Sequence, residues 1–84
     1  MNHRSMRLEE LRIAASVAAE KVRKSGAPYQ FAPMSSRERR IVHLALRDHT
    51  DLRTESQGDG LRRYVVVYPK DFVHASKPLK KIIP

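Results

Sequence analysis

Between Ser5 and Ser25, Leu8, Leu11, Ala15, Ala18 and Val22 recur at three- and four-residue intervals, which is the period of one face of a helix. Glu9 and Glu10 open this stretch and Lys21, Arg23 and Lys24 close it, an order of charge that suits a helix dipole. Gly26 then supplies a stop and Pro28 a breaker. The spacing predicts a helix over 5–25. Ile13 and Val17 fall outside the stripe, so this helix has a second apolar patch. A broad buried face is the simpler account of it, and a docking surface for something absent from the chain is the sharper one.

Tyr29 to Ala32 alternates as a short edge strand would. Pro33-Met34 leads into Ser35-Ser36-Arg37-Glu38, where Ser35 with Glu38 three residues on is a capping-box pattern. A second helix is expected over about 36–49. Leu52 to Ser56 and Arg62 to Tyr68 are β-type runs joined by the glycine-containing stretch Gln57 to Leu61, which predicts a hairpin within about 52–68. Helix, short strand, helix and hairpin make a small α+β fold in one domain over 1–69. From Lys70 to Pro84 the chain is lysine-rich and has no clear period, so 70–84 is expected to be a basic, disordered tail.

Charge sharpens the picture. Seventeen Lys and Arg against nine Asp and Glu give a net charge of +8 over 84 residues. That balance points to a phosphate-rich partner or an acidic protein. The absence of cysteine excludes disulfides, thiolate metal sites and cysteine nucleophiles. No apolar run approaches the ~18–20 residues of a membrane span, and the start shows no signal-peptide stretch, so the chain reads as cytoplasmic with no membrane partner.

The cationic residues are not scattered. At about 100° per residue, Ile41, Val42, Ala45 and Leu46 share one arc of the second helix, Arg40, His43 and Arg47 take the opposite arc, and Arg39 lies at the border. Guanidinium forks and an imidazole on one face suit a polyanion, and a protonated imidazole would add a second positive donor there. Arg37 extends this set at the start of the helix. In the last strand Tyr64, Val66 and Tyr68 alternate with Arg63, Val65 and Val67. If the valines at 65 and 67 face the helices, the tyrosines either offer a stacking platform for bases or simply cover the sheet. Arg62 and Arg63 make the start of that strand basic in either case.

The run Glu38-Arg39-Arg40-Ile41-Val42-His43 after Pro33-Met34, followed by Arg53-Thr54-Glu55-Ser56, a glycine turn and Arg63-Tyr64-Val65-Val66-Val67, resembles the Arg-three-residues-His, or R-three-H, domain. The Pro-Met lead-in is like the bacterial Jag-type branch, and the likeness covers about Asn2 to Pro69. The resemblance implies a three-stranded, mainly antiparallel sheet with two helices packed on one face. It also implies a module that binds single-stranded RNA or DNA without strict sequence readout, with Arg39 and His43 in the signature positions and Arg63 matching the arginine that opens the last strand. In Jag-type proteins the domain follows a KH domain. The start Asn2-His3-Arg4 resembles the segment leaving that domain, which implies that this chain is a fragment with an upstream KH partner.

Rival chemistries find less support. Asp48, His49 and Asp51 are possible metal ligands, yet a helix end and a turn explain them, and no metal site is expected. Ser35, Ser36 and Ser56 lack a positioned base, so neither an enzyme nor a cofactor is expected. Gly58-Asp59-Gly60 precedes no helix and therefore reads as a hairpin turn rather than a phosphate loop. The expectation is a non-enzymatic module for single-stranded nucleic acid, RNA before DNA, using Arg37, Arg39, Arg40, His43, Arg47, Arg62, Arg63 and Tyr64. The alternative is an adaptor that docks an acidic protein or a neighbouring domain.

Overall fold

The computed structural model describes residues 3–73 as two helices and a three-stranded sheet. Helix α1 spans His3–Ser25 and begins two residues before the sequence pattern does, so Glu9 and Glu10 lie beyond its first turn. It ends as its residues require. Gly26 takes φ 71°, a left-handed conformation that costs a glycine little, and its N–H donates to the Val22 carbonyl at 2.8 Å. Leu11, Ala15, Ala18, Ala19 and Val22 are buried. Ile13 and Val17 are 57% and 47% exposed. The broad buried face expected for α1 is therefore a narrow one, because its packing partners lie along the alanine stripe alone.

Strand β1 is Tyr29–Gln30, and helix α2 is Ser36–Leu46. The capping box is complete: the Ser35 hydroxyl accepts from the Glu38 N–H at 3.2 Å, and the Ser35 N–H donates to the Glu38 carboxylate at 3.1 Å. The same carboxylate accepts from Arg7 of α1 at 2.8 Å, so one residue caps α2 and ties it to α1. Helix α2 stops at Leu46 rather than near 49. The chain turns there, with the His49 N–H donating to the Leu46 carbonyl at 3.0 Å, because the segment must reach Leu52 in time to start the next strand. Poor helix formers at Asp48, His49 and Thr50 make that early stop inexpensive.

Strands β2 (Leu52–Gln57) and β3 (Tyr64–Pro69) form the hairpin, with a 3-10 turn at Gly60–Arg62 between them. Arg62 thus belongs to the turn, and the last strand starts two residues later than its β-type run implies. The sheet order is β1-β3-β2, antiparallel throughout, with β3 at the centre. Beyond β1 the chain stays attached to β3: Phe31 N–H donates to Val65 O at 2.9 Å and Met34 N–H to Arg63 O at 3.1 Å.

Both helices pack on one sheet face. Val65 and Val67 point into a core shared with Val42, Leu46 and the α1 stripe. Period-2 alternation sends Tyr64, Val66 and Tyr68 to the other face. That face is covered. Tyr68 is buried, Phe72 stacks on its ring at 5.5 Å between centroids, and the Arg53 guanidinium lies 4.7 Å from the ring centre. Arg53 also donates to the Lys70 and Phe72 carbonyls at 2.9 and 3.1 Å. Phe72 therefore packs on the sheet, past the Pro69 boundary expected from sequence, Val73 after it is exposed, and 74–84 of the expected tail lies outside the described residues.

Candidate nucleic-acid interface

Where the first two turns of α2 cross the end of the hairpin, Ser36, Arg39, Arg40, His43, Leu44, Ser56 and Arg63 line a shallow groove. Its lining holds three guanidinium groups and no carboxylate. The placement follows from the elements. Arg39, Arg40 and His43 lie on adjoining sectors of α2, and Ser56 and Arg63 sit at the end of β2 and just before β3 on the helix-facing side of the sheet.

His43 forms the floor of this groove. Its Nδ1 lies 2.6 Å from Thr54 Oγ1 and its Nε2 2.9 Å from Ser56 Oγ. Thr54 and Ser56 are two apart on β2, so their hydroxyls point the same way and bracket the ring. Hydroxyls both donate and accept, so they satisfy a neutral imidazole in either tautomer. Burial, and secondarily the Arg39 charge, push the His43 pKa below its ordinary value. The ring is therefore neutral at physiological pH. The sequence pattern set His43 on a free cationic face, and the structure instead wedges it between helix and strand.

Arg39 is half-buried, and its Nη1 donates to the Met34 carbonyl at 2.7 Å. That bond fixes the guanidinium across the mouth of the groove and braces the chain entering α2. Arg63 is held similarly, with Nη1 donating to Gly58 O at 2.8 Å. Gly58 must be glycine here: its φ is 86°, and a Cβ would lie 2.9 Å from the Arg62 carbonyl oxygen. Arg40 is exposed beside them.

Four of the eight residues singled out in the sequence meet at this site: Arg39, Arg40, His43 and Arg63. The others do not. Arg37 is exposed on another side of α2, lining a depression with Arg7, Leu8 and Ile41. Arg47 is the C-terminal cap of α2, exposed and 4.0 Å from the Asp48 carboxylate. Arg62 is exposed on the 3-10 turn and lines no part of the groove. Tyr64 lies on the opposite sheet face, half-buried, its hydroxyl donating to Gln57 at 3.5 Å. The stacking platform is not formed, because the Tyr68 ring is covered by Phe72 and Arg53.

Sequence reasoning missed Thr54 and Ser56 as the supports of His43, and Ser36 and Leu44 as groove lining. The Thr-x-Ser alternation was a signal for the first pair, since it puts two hydroxyls on one side of a strand. Asp51 and His49 are engaged by Arg23, whose Nε donates to Asp51 at 2.6 Å and whose Nη2 donates to His49 Nδ1 at 2.7 Å. This pins the C-terminal end of α1 to the α2–β2 turn and holds the Asp51 carboxyl below its usual range. Among the described residues, no group of three His, Cys, Asp or Glu side chains is placed to hold a metal ion.

The model of one family, described as the R3H domain, matches residues 9–69. The chain is 35% identical over 66 residues to the RNA-binding protein KhpB of Clostridium symbiosum, a span that covers 79% of this chain and 30% of that protein. It is also 35% identical over 71 residues to the RNA-binding protein KhpB of Bacillus subtilis (strain 168), covering 82% of this chain and 34% of that protein. The chain thus spans about a third of the length of these relatives. The matched span takes in α1 from Glu9 onward, all of α2, the whole sheet and the Arg39–His43 pair, and the chain belongs to the R3H domain family.

Proposed function

We propose that this chain is a non-enzymatic module that binds single-stranded nucleic acid, RNA in preference to DNA, through the groove between α2 and the hairpin. The observation that carries this reading is the convergence of Arg39, Arg40 and Arg63 around His43 in a groove with no carboxylate in its lining. Guanidinium groups fixed by backbone carbonyls are preorganised for phosphate, and their planes can also stack on exposed bases. The net charge of +8 adds long-range attraction. The relatives named as RNA-binding proteins favour nucleic acid over an acidic protein partner.

In this reading His43 positions rather than attracts. Held by two hydroxyls, it keeps α2 and β2 in register so that Arg39 and Arg63 face the same ligand. Among the described residues, no helix is long and apolar enough to cross a membrane. A cytoplasmic setting, and an upstream KH domain in the parent protein, belong to the same proposal. A titration of the chain with octa-uridine and octa-deoxythymidine, followed by amide chemical shifts, tests it. Shifts concentrated at Ser36 to Leu44 and at Ser56 to Arg63, larger for the ribose strand, are the expected result. Shifts confined to α1 or absent altogether would overturn it.

A further inference from the structure

Leu61 is 99% exposed, yet it sits on a turn that is firmly built. Arg62 N–H donates to Asp59 O at 2.9 Å, Arg63 N–H to Gly60 O at 3.3 Å, and the Arg63 side chain clasps Gly58 O. A single exposed leucine needs no special account. This one, however, is one wall of a second groove, lined also by Met34, Ser35, Ser36, Arg39 and Gly60. Arg39 and Ser36 line both grooves. The first is the cationic groove with Arg40 and Arg63, and the large apolar side chains of the second are Met34 and Leu61.

We propose that the Met34–Leu61 groove receives an unstacked base of the bound strand while its phosphates lie along Arg40 and Arg63, with Arg39 spanning the two. This rests on the nucleic-acid reading above and adds to it the place where bases are recognised. A nucleotide has an anionic part and a flat apolar part joined by a sugar, and the two adjoining grooves match those parts in chemistry and in order. Apolar contact from Met34 and Leu61 would accept any base face, which agrees with sequence-tolerant binding. A leucine held out in solvent by a rigid turn also buries its side chain on binding with little loss of backbone freedom.

Fluorescence anisotropy of the full 84-residue chain with octa-uridine, and with an octamer of abasic ribose phosphate, separates the slot from the charge. The wild type should bind octa-uridine about three- to tenfold more tightly than the abasic strand, the scale of partly burying one apolar side chain. Leu61→Ser should remove most of that preference, leave abasic binding and its salt dependence unchanged, and melt like the wild type. Leu61→Phe should keep the preference. Equal binding of both strands by the wild type, or an unchanged preference in Leu61→Ser, would overturn the slot while leaving the cationic groove intact. Binding of neither strand would overturn the nucleic-acid reading itself. A wild-type dimer that becomes monomeric in Leu61→Ser would assign the slot to a second copy of the chain instead.

Discussion

The Nε2 of His43 and the hydroxyl of Ser56 lie 2.9 Å apart, and this bond joins α2 to β2 at the floor of the cationic groove. Removing the hydroxyl leaves a half-buried ring nitrogen without its partner. Ser56→Ala should destabilise the fold by about 0.5–1.5 kcal/mol, the net worth of one hydrogen bond at a half-buried site. Urea denaturation gives that number directly. A value indistinguishable from wild type would mean that water replaces the hydroxyl at no cost.

Acid should act through the same ring. The folded-state pKa of His43 is depressed, so below the unfolded value of ~6.5 the unfolded chain takes up a proton that the folded chain resists. The stability due to the neutral ring is present above that value and is lost as pH falls toward the depressed folded one. The difference in unfolding free energy between wild type and His43→Gln should therefore shrink on going from about pH 7 to about pH 5.5. A constant difference would contradict the burial of the ring. The Glu38 carboxyl, held low first by the Arg7 guanidinium and then by the Ser35 N–H, acts in a more acid window. Its contribution is present above the ordinary carboxylate range and disappears as pH falls through its folded value.

The outer sheet face gives a test of where the fold ends. Phe72→Ala removes a ring stacked on Tyr68 and should cost about 0.5–1.5 kcal/mol from the aromatic pair alone. Arg53→Ala should cost a similar amount, since it loses two carbonyl partners and its place over the Tyr68 ring. Thermal melts that ignore both changes would return Phe72 to the tail.

Much of this fold was legible because its signals are local. The Ser35–Glu38 capping box, the Gly26 stop and the alternation of Val65 and Val67 each depend on neighbours in the chain. What escaped depends on neighbours across it. Helical period places His43 apart from Val42 and Leu46 but cannot say that β2 closes over that sector with Thr54 and Ser56. Strand alternation assigns Tyr64 and Tyr68 to one face but cannot say that Arg53 and Phe72 cover it. The family resemblance set Arg39, His43 and Arg63 apart, but charge and period alone do not rank the arginines. Arg37, Arg47 and Arg62 are as cationic as Arg39, Arg40 and Arg63, and only the packing of α2 on the hairpin separates the two sets.

Helix α1 provides a further check. Ile13 and Val17 are exposed, so Ile13→Ser with Val17→Ser should change the stability of this chain by no more than about 0.5 kcal/mol each, as for surface positions. Burial would instead cost roughly 2–5 kcal/mol for the isoleucine alone. Differential scanning calorimetry distinguishes the two outcomes.

The central claim is that binding belongs to the groove and not to the overall charge, and two charge-matched variants test it most directly. Arg39→Gln with Arg40→Gln removes two cations from the groove, and Arg37→Gln with Arg47→Gln removes two from elsewhere on the same helix. Octa-uridine affinity of each is measured across a salt series, with circular dichroism to confirm the fold. The groove variant should lose about ten- to a hundredfold in affinity and lower the slope of log K against log salt by about 1.4, the value for two phosphate contacts on a single strand. The other variant should stay within about threefold of wild type with a nearly unchanged slope. Equal losses in the two would show that net charge alone governs binding and would contradict the account.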